Sequence, residues 1–197
     1  MARPKAFDRD TALQGAITLF REKGYAGAST DDLLGAMGIG RQSMYDTFGD
    51  KRGLFLAALE RYIADSLGEL IRDMVAGHTP LAGLDDALKA FAQRAGTGGE
   101  GCMGVTAVFE FGRSDPEVAA LSDASARTQL ASIERQLRKA KTAGEVAPNL
   151  DVKAAAAFVA ACLSGMRVAA RAGAAVPALQ QMAGFTLLAL RAPAGER

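Results

Sequence analysis

The stretch STDDLLGAMGIGRQSMYDTF, residues 29–48, carries the signals of two short helices joined by a tight glycine turn. Ser29 can accept a hydrogen bond from the amide three residues on while Asp32 reaches back, which is typical of a helix start. The run 38–40 interrupts the first helix because glycine tolerates positive φ. Helical spacing resumes over 41–48, so the sequence predicts a helix, a turn and a second helix of similar length.

Helical patterns flank this stretch on both sides. The preceding helix is predicted from an amphipathic stripe that ends at Gly24 and consists of Leu13, Ala16, Ile17 and Phe20. Asp50 can cap the following segment, whose apolar stripe continues for ~26 residues, or ~39 Å at the rise of an α-helix. Together these segments form a helix-turn-helix, in which a scaffold pair presents a third helix to the DNA major groove.

The rest of the chain repeats helical patterns without any alternating β pattern. They fall at about 81–95, 102–112, 116–143, 151–172 and 177–191, separated by stretches rich in glycine or proline. We therefore predict an all-α fold of about nine helices. Residues 1–50 are expected to form a three-helix DNA-binding domain, and residues 51–197 a helical bundle for ligand binding and dimerisation.

Composition excludes several classes of protein. A chain of 197 residues with 49% hydrophobic content is globular, and 23 basic against 22 acidic residues leave no domain-wide positive excess. Two cysteines without CxxC spacing and one histidine argue against a disulfide framework or a zinc site and indicate a reducing cytoplasm. The apolar run 154–166 stops at Arg167, short of a membrane span, and the N-terminus lacks an export signal. No cofactor is implied.

The helix-turn-helix residues resemble the N-terminal module of the TetR family of bacterial one-component repressors. The matching positions are Thr30, Asp31, Asp32, Leu33, Gly38, Ile39, Tyr45, Phe48, Lys51 and Leu54. The resemblance is specific over residues 8–56 and architectural beyond them. It implies a homodimeric regulator that binds double-stranded DNA at a palindromic operator and is released by a small-molecule effector. Because 151–172 and 177–191 are apolar on most sides, we expect them to meet the partner subunit.

The same resemblance implies the roles of individual residues on DNA. Gln42 and Ser43 occupy positions that face base edges, and Arg41 can reach guanine or phosphate as a bidentate donor. The positions that correspond to phosphate contacts are Arg3, Lys5, Thr30, Tyr45 and Lys51. Thr47 stands where the family usually has an aromatic or histidine contact. Asp46 beside it would repel phosphate unless it points inward or toward a cation.

A ligand pocket is predicted from side chains on the helices that follow. Its candidate residues are Met74, Phe91, Cys102, Met103, Thr106, Phe109 and Glu110. Apolar residues of this kind suit a hydrophobic ligand, although at helical spacing such residues more often form the core. Glu110 is a candidate polar anchor or an exposed glutamate. Cys102, at a helix start that lowers a thiol pKa, is either a reactive thiol, as in electrophile-sensing relatives, or an inert packing residue.

Two further interpretations belong to other classes of protein. The GxGxxG pattern of 96–101 follows a helix rather than a strand, so a helix connector is favoured over a nucleotide site. A helical enzyme would use Cys102 as its nucleophile with Glu110 and His78, but nothing in the sequence brings these residues together. His78 is assigned a structural role and Cys162 a packing role.

Overall fold

A computed structural model describes residues 7–97 and 102–191, and within these ranges the chain forms nine α-helices. Their bounds are α1 Arg9–Gly27, α2 Thr30–Met37, α3 Arg41–Phe48, α4 Lys51–Ala76, α5 Pro80–Thr97, α6 Met103–Phe111, α7 Pro116–Thr142, α8 Val152–Arg171 and α9 Val176–Leu188. The only extended pairing in these ranges is a single bridge between Val146 and Arg191. The predicted all-α fold is confirmed.

One predicted helix end differs from the structure. Gly24 has a positive φ of 73° with ψ of −178°, so it interrupts α1 as its residue type suggested. However, α1 continues past this kink to Gly27. The helix predicted over 81–95 is α5, which extends two residues further, to Thr97. The rest of the predicted connector 96–101 lies outside the described residues.

The helices form two compact units. The first unit ends at Ala64 and also includes Cys102–Ser122, whereas the second starts at Asp65 and resumes at Asp123. This division differs from the one predicted between residues 50 and 51. The reason is that the first half of α4, all of α6 and the start of α7 share one apolar core with α1, α2 and α3.

The core of the first unit is built around α1. Its largest fully buried side chains include Phe20, Ile17 and Leu33, and α6 contributes Met103. α1 and α2 approach so closely that a methyl group on Gly15 would stand 2.1 Å from the carbonyl oxygen of Ala36. The absence of a side chain at this glycine therefore sets the distance between the two helices.

In the second unit, a buried glutamine on α7 holds the junction between α4 and α5. The Gln136 side-chain amide donates to the carbonyls of Met74 at 2.7 Å and Pro80 at 2.9 Å. Gly83 lies at the same junction, where a Cβ would come within 2.1 Å of the Met74 oxygen. The side-chain amide of Gln136 thus joins a carbonyl near the end of α4 to the carbonyl at the start of α5.

We expect Gln136→Leu to lower the free energy of unfolding by about 1–3 kcal/mol, because two carbonyls inside the second unit lose their shared donor. The measurement is chemical denaturation followed by circular dichroism. The matched control is Gln93→Leu on the exposed side of α5, where we expect a change within about 0.5 kcal/mol. Equal stability of the two variants would contradict the role given to Gln136.

Each of the last two helices has an apolar face toward the core and further apolar side chains on its exterior. α8 buries Val159, Leu163 and Met166, and Leu179 of α9 joins the same core. Among the described residues, α8 is the one helix that is long and apolar enough to cross a membrane, and core helices of soluble proteins meet that criterion too. The exposed apolar side chains of this pair are Phe158, Val168, Phe185 and Leu188.

Candidate nucleic-acid interface

α3 has one buried side and one side that faces solvent. Met44 and Phe48 anchor it in the core of the first unit. At 100° per residue, Gln42 and Asp46 lie on the opposite side of the helix, and both are exposed. Tyr45, on the flank, is 41% exposed. The side that can enter a groove is therefore centred on Gln42 and Asp46.

The turn before α3 is fixed by the caps that the sequence predicted. Ser29 accepts from the Asp32 amide at 3.1 Å, and Gly38 adopts the left-handed conformation with φ of 64°. Asp32 also binds the Lys23 ammonium at 3.0 Å. The pKa of the Asp32 carboxyl is lowered by the hydrogen bond from Lys23 and then by that from Ser29. α2 is thus held to the end of α1 while it supports α3.

Carboxylates hold the two polar side chains at the start of α3. Asp31 accepts from the Arg41 guanidinium at 2.5 Å. Asp46 accepts from the Gln42 side-chain amide at 2.8 Å. Asp46 is exposed, and its hydrogen-bond partner is a neutral amide rather than a cation. Two of the residues predicted to contact DNA are therefore already hydrogen-bonded in the free protein.

The other predicted DNA contacts surround this surface. Ser43 and Thr47 are half-buried on one flank of α3, and Thr30 is half-buried at the start of α2. The Lys51 ammonium lies 4.5 Å from the centre of the Tyr25 ring, within range of a cation–π interaction. Arg3 and Lys5 lie outside the described residues.

Sequence reasoning missed one basic residue beside α3. The guanidinium of Arg9, at the start of α1, lies 5.3 Å from the centre of the Phe48 ring at the end of α3. Arg9 is exposed. It therefore places a positive charge close to the recognition helix although 32 residues or more separate it from α3 in the chain. The signal available in the sequence was its position one turn before Leu13, the first residue of the apolar stripe that predicts α1.

α6 and the start of α7 are fastened to the first helices within the first unit. The Glu110 carboxylate accepts from the backbone amides of Tyr25 at 2.8 Å and Ala26 at 3.1 Å. These amides follow the Gly24 kink, and a Cβ on that glycine would come within 2.6 Å of the Glu110 oxygen. Glu110 thus has backbone partners at the end of α1.

A second attachment lies at the start of α4. The Arg52 guanidinium binds both carboxylate oxygens of Asp115 at 2.9 Å and reaches Glu117 at 2.5 Å. The pKa of Asp115 is lowered, first by the hydrogen bond from the Val118 amide, and that of Arg52 is raised, first by Glu117. α6 and the residues that follow it therefore contact α1 and α4 at two places.

The residues predicted to bind a ligand lie in both units. Met74 is buried in the second unit, where Phe91 packs against the core with the Arg167 guanidinium 4.8 Å from its ring centre. The other five candidates belong to the first unit.

Most of those five have partners in their own unit. Met103 is part of the apolar core, and the Thr106 hydroxyl donates to the carbonyl of Cys102 at 3.2 Å. Cys102 itself is half-buried at the position preceding α6. Phe109 is 77% exposed. Across residues 7–97 and 102–191, no group of three or more acidic, histidine or cysteine side chains could hold a metal ion.

Two family models match the chain. Residues 12–58 match the model described as bacterial regulatory proteins, tetR family, and residues 77–183 match the tetracyclin repressor-like C-terminal domain. The first match spans α2, α3 and the start of α4, which are the helices that form the surface described above. The second covers more than half of the chain.

Curated relatives and solved structures agree with these matches. The HTH-type transcriptional repressor ComR of Escherichia coli K12 is 32% identical over 189 residues, which are 94% of this chain and 90% of that protein. An uncharacterised HTH-type transcriptional regulator of Bacillus subtilis, YezE, is 32% identical over 81% of this chain and 84% of its own length.

A structure of the TetR family transcriptional regulator CifR, with cysteines substituted and in complex with a 26-base-pair operator duplex, is 31% identical. It has a TM-score of 0.81 and covers 95% of this chain and 99% of its own.

Proposed function

The chain belongs to the TetR family of bacterial regulatory proteins, and from that premise we propose that it is a repressor that binds a palindromic operator as a homodimer. The observation that carries this proposal is that Met44 and Phe48 anchor α3 in the core while its polar side chains Arg41, Gln42 and Tyr45 are all exposed to solvent. Arginine and glutamine are the donors that read base edges in the major groove, while tyrosine suits phosphate.

The partner subunit is proposed to pack against α8 and α9. Phe158, Val168, Phe185 and Leu188 leave apolar area on these helices exposed in a single chain. Such patches on a soluble protein mark interfaces, and a twofold dimer would place two copies of α3 on half-sites about 34–36 Å apart. Sedimentation of the full chain at micromolar concentration should therefore give twice the mass of one chain.

Operator binding is tested on the DNA that flanks the gene. We expect a gel shift with the adjacent promoter fragment that survives excess non-specific competitor and weakens steeply as salt is raised, because phosphate contacts release counterions. Equal affinity for the promoter and for unrelated DNA of the same length would contradict the proposal. Selection of bound fragments from genomic DNA would then define the sequence that is read.

The contact assignment leads to a prediction for two variants. Arg41→Ala should reduce operator affinity by about tenfold or more, because one bidentate contact with a base contributes about 1–3 kcal/mol. Tyr45→Ala should weaken binding to all DNA sequences alike, because a phosphate contact carries no sequence information. Fluorescence anisotropy of labelled duplexes measures both effects.

Both side chains are exposed, so thermal unfolding should be nearly unchanged in the two variants. That measurement separates loss of a contact from loss of the fold. Operator affinity equal to that of the parent protein in both variants would remove the assignment of this surface of α3 to DNA.

Release from DNA is proposed to follow binding of a small hydrophobic effector or modification of the Cys102 thiol. The apolar candidates for contact with the effector are Met74 and Phe91 of the second unit, and Cys102 precedes the helix that carries Glu110 in the first unit. An effector acts by preferring the conformation that does not bind DNA; a preference near 5.5 kcal/mol switches a two-state equilibrium almost fully. We place the protein in the cytoplasm and assign it no catalytic role.

Thiol modification has its own test. Iodoacetamide should label Cys102, and the labelled protein should lose operator binding if this thiol is the switch. Cys102→Ser is the control, since it keeps a small polar side chain but cannot be alkylated. Labelled protein that binds the operator like the parent protein would leave a non-covalent effector as the proposed signal.

A further inference from the structure

We propose that Asp46 is a specificity-determining residue that holds the Gln42 side chain in the orientation that reads adenine in the major groove. This inference rests on the proposed function and adds to it the base that is recognised and the residue that fixes its reader. It is based on the position of the two side chains on α3, on the hydrogen bond between them and on the hydrogen-bonding pattern of adenine.

Gln42 and Asp46 lie on the side of α3 that protrudes furthest from the core. Met44 and Phe48 define the buried side, and both Gln42 and Asp46 are within about 50° of the direction opposite to it at 100° per residue. Any approach of α3 into a groove therefore brings this pair to the base edges first. Ser43 and Tyr45 lie on either side of this pair, where they would face the walls of the groove.

The hydrogen bond leaves Gln42 with a defined pair of free groups. Its Nε2 carries two hydrogens, and one of them is donated to the Asp46 oxygen at 2.8 Å. The remaining N–H and the Oε1 acceptor are the pair needed for a bidentate contact with adenine, which presents an acceptor at N7 and a donor at N6. Guanine presents two acceptors in the major groove and does not match this pair.

Asp46 removes an ambiguity that an isolated glutamine would have. A free glutamine amide rotates, so its nitrogen and oxygen exchange places at little cost. A carboxylate only accepts hydrogen bonds, so the amide nitrogen and not the oxygen must face Asp46. The order of donor and acceptor presented to the groove is thereby fixed before DNA is bound, which reduces the ordering cost of the contact.

The carboxylate also disfavours DNA in general. Asp46 brings a negative charge toward a polyanion, which lowers affinity for every sequence. This loss of affinity is offset only at a site where the oriented Gln42 side chain forms its hydrogen bonds with adenine. Asp46 therefore increases the ratio of specific to non-specific affinity, although it does not itself have to touch DNA.

The test is selection of bound duplexes from a randomised pool, with the full-length protein and five variants. In the parent protein we expect one A·T pair in each half-site that is lost in Gln42→Ala. Asp46→Ala should reduce the preference for that pair by about tenfold and raise affinity for unrelated DNA. Asp46→Asn should keep much of the preference, because its side-chain oxygen still accepts from Nε2.

The double variant shows whether Asp46 acts by positioning Gln42 or contacts the base itself. In Gln42→Ala/Asp46→Ala, no further change at that base pair is expected beyond the loss in Gln42→Ala. Asp31→Ala is the matched control, since it also removes an exposed carboxylate beside α3 but has Arg41 as its partner. It should raise general affinity without changing the preference at the Gln42 position.

The outcomes separate this inference from the proposed function. A parent protein without any sequence preference would overturn both. A sequence preference that Asp46→Ala leaves intact would overturn the inference alone, as would a change at this base pair that persists in the Gln42→Ala background. A preference for guanine at the pair lost in Gln42→Ala would overturn the assignment of the base.

Discussion

Gly15→Ala is expected to lower the free energy of unfolding by about 3 kcal/mol or more, at the upper end of what overpacking of a core produces. The added methyl carbon would stand 2.1 Å from the Ala36 oxygen and 2.8 Å from its carbonyl carbon. These are backbone atoms, so no rotation of a side chain relieves the contact and α2 must move away from α1. The displacement would also shift α3, which follows α2 after a three-residue turn.

Thermal unfolding of the full chain measures this effect. For a chain of this length we expect a fall in Tm of about 6–12 °C, at about 2–4 °C for each kcal/mol. Operator affinity should fall as well, since the position of α3 depends on α2.

Gly35→Ala is the matched control because it places the same methyl group on α2, where a Cβ meets nothing within 4 Å. Alanine in a helix interior is favoured over glycine by about 0.5–1 kcal/mol, so this variant should be as stable as the parent protein or slightly more stable. If both variants unfold at the same temperature, the close approach of α1 and α2 at Gly15 is not a determinant of stability.

Gly24→Ala is expected to destabilise the first unit by about 2–4 kcal/mol, from two causes that act at one position. The backbone at φ of 73° and ψ of −178° is accessible to glycine almost alone, and forcing another residue into it costs about 1–3 kcal/mol. In addition, the Cβ would lie 2.6 Å from the Glu110 oxygen. The carboxylate must then leave the amides of Tyr25 and Ala26, which lose a charged acceptor.

A double-mutant cycle separates the two causes. Glu110→Ala removes the carboxylate alone, and the combination with Gly24→Ala should cost less than the sum of the single variants because the Glu110 contact is lost only once. Strict additivity would mean that Gly24 acts through backbone strain only. Unfolding monitored by circular dichroism gives the free energies.

The helix-turn-helix was predictable because its signals are local. Ser29 and Gly38 act on amides and carbonyls a few residues away, and the structure has them as the N-cap and C-cap of α2. The buried face of α3 likewise follows from the spacing of Met44 and Phe48. Neither conclusion depends on where the rest of the chain lies.

The functions of Glu110 and Met103 could not be predicted in the same way. The sequence left Glu110 as a ligand anchor or an exposed residue, whereas its partners are amides 84 and 85 residues away. Met103 fits a ligand pocket by residue type but packs in the core that includes Phe20 and Phe55. Helical spacing indicates which side of α6 is apolar, but it does not identify the element that covers that side.

The charge of Asp46 alone does not identify its partner. A carboxylate on a helix that faces DNA is expected to repel phosphate unless it points inward or toward a cation. Its partner is the neutral amide of Gln42 one turn earlier on α3. Spacing of four residues on one helix was the signal that pointed to this contact.

The discontinuous first unit has a consequence for synthesis on the ribosome. Its core needs Met103, Ala107 and Val118 as well as residues of α1 and α2. A nascent chain that has emerged only through α4 therefore lacks part of that core, and contacts between residues distant in sequence form late. The DNA-binding helices reach their final stability only after about three-fifths of the chain has been translated, so a polypeptide cut short before α6 would be a poor competitor for the operator.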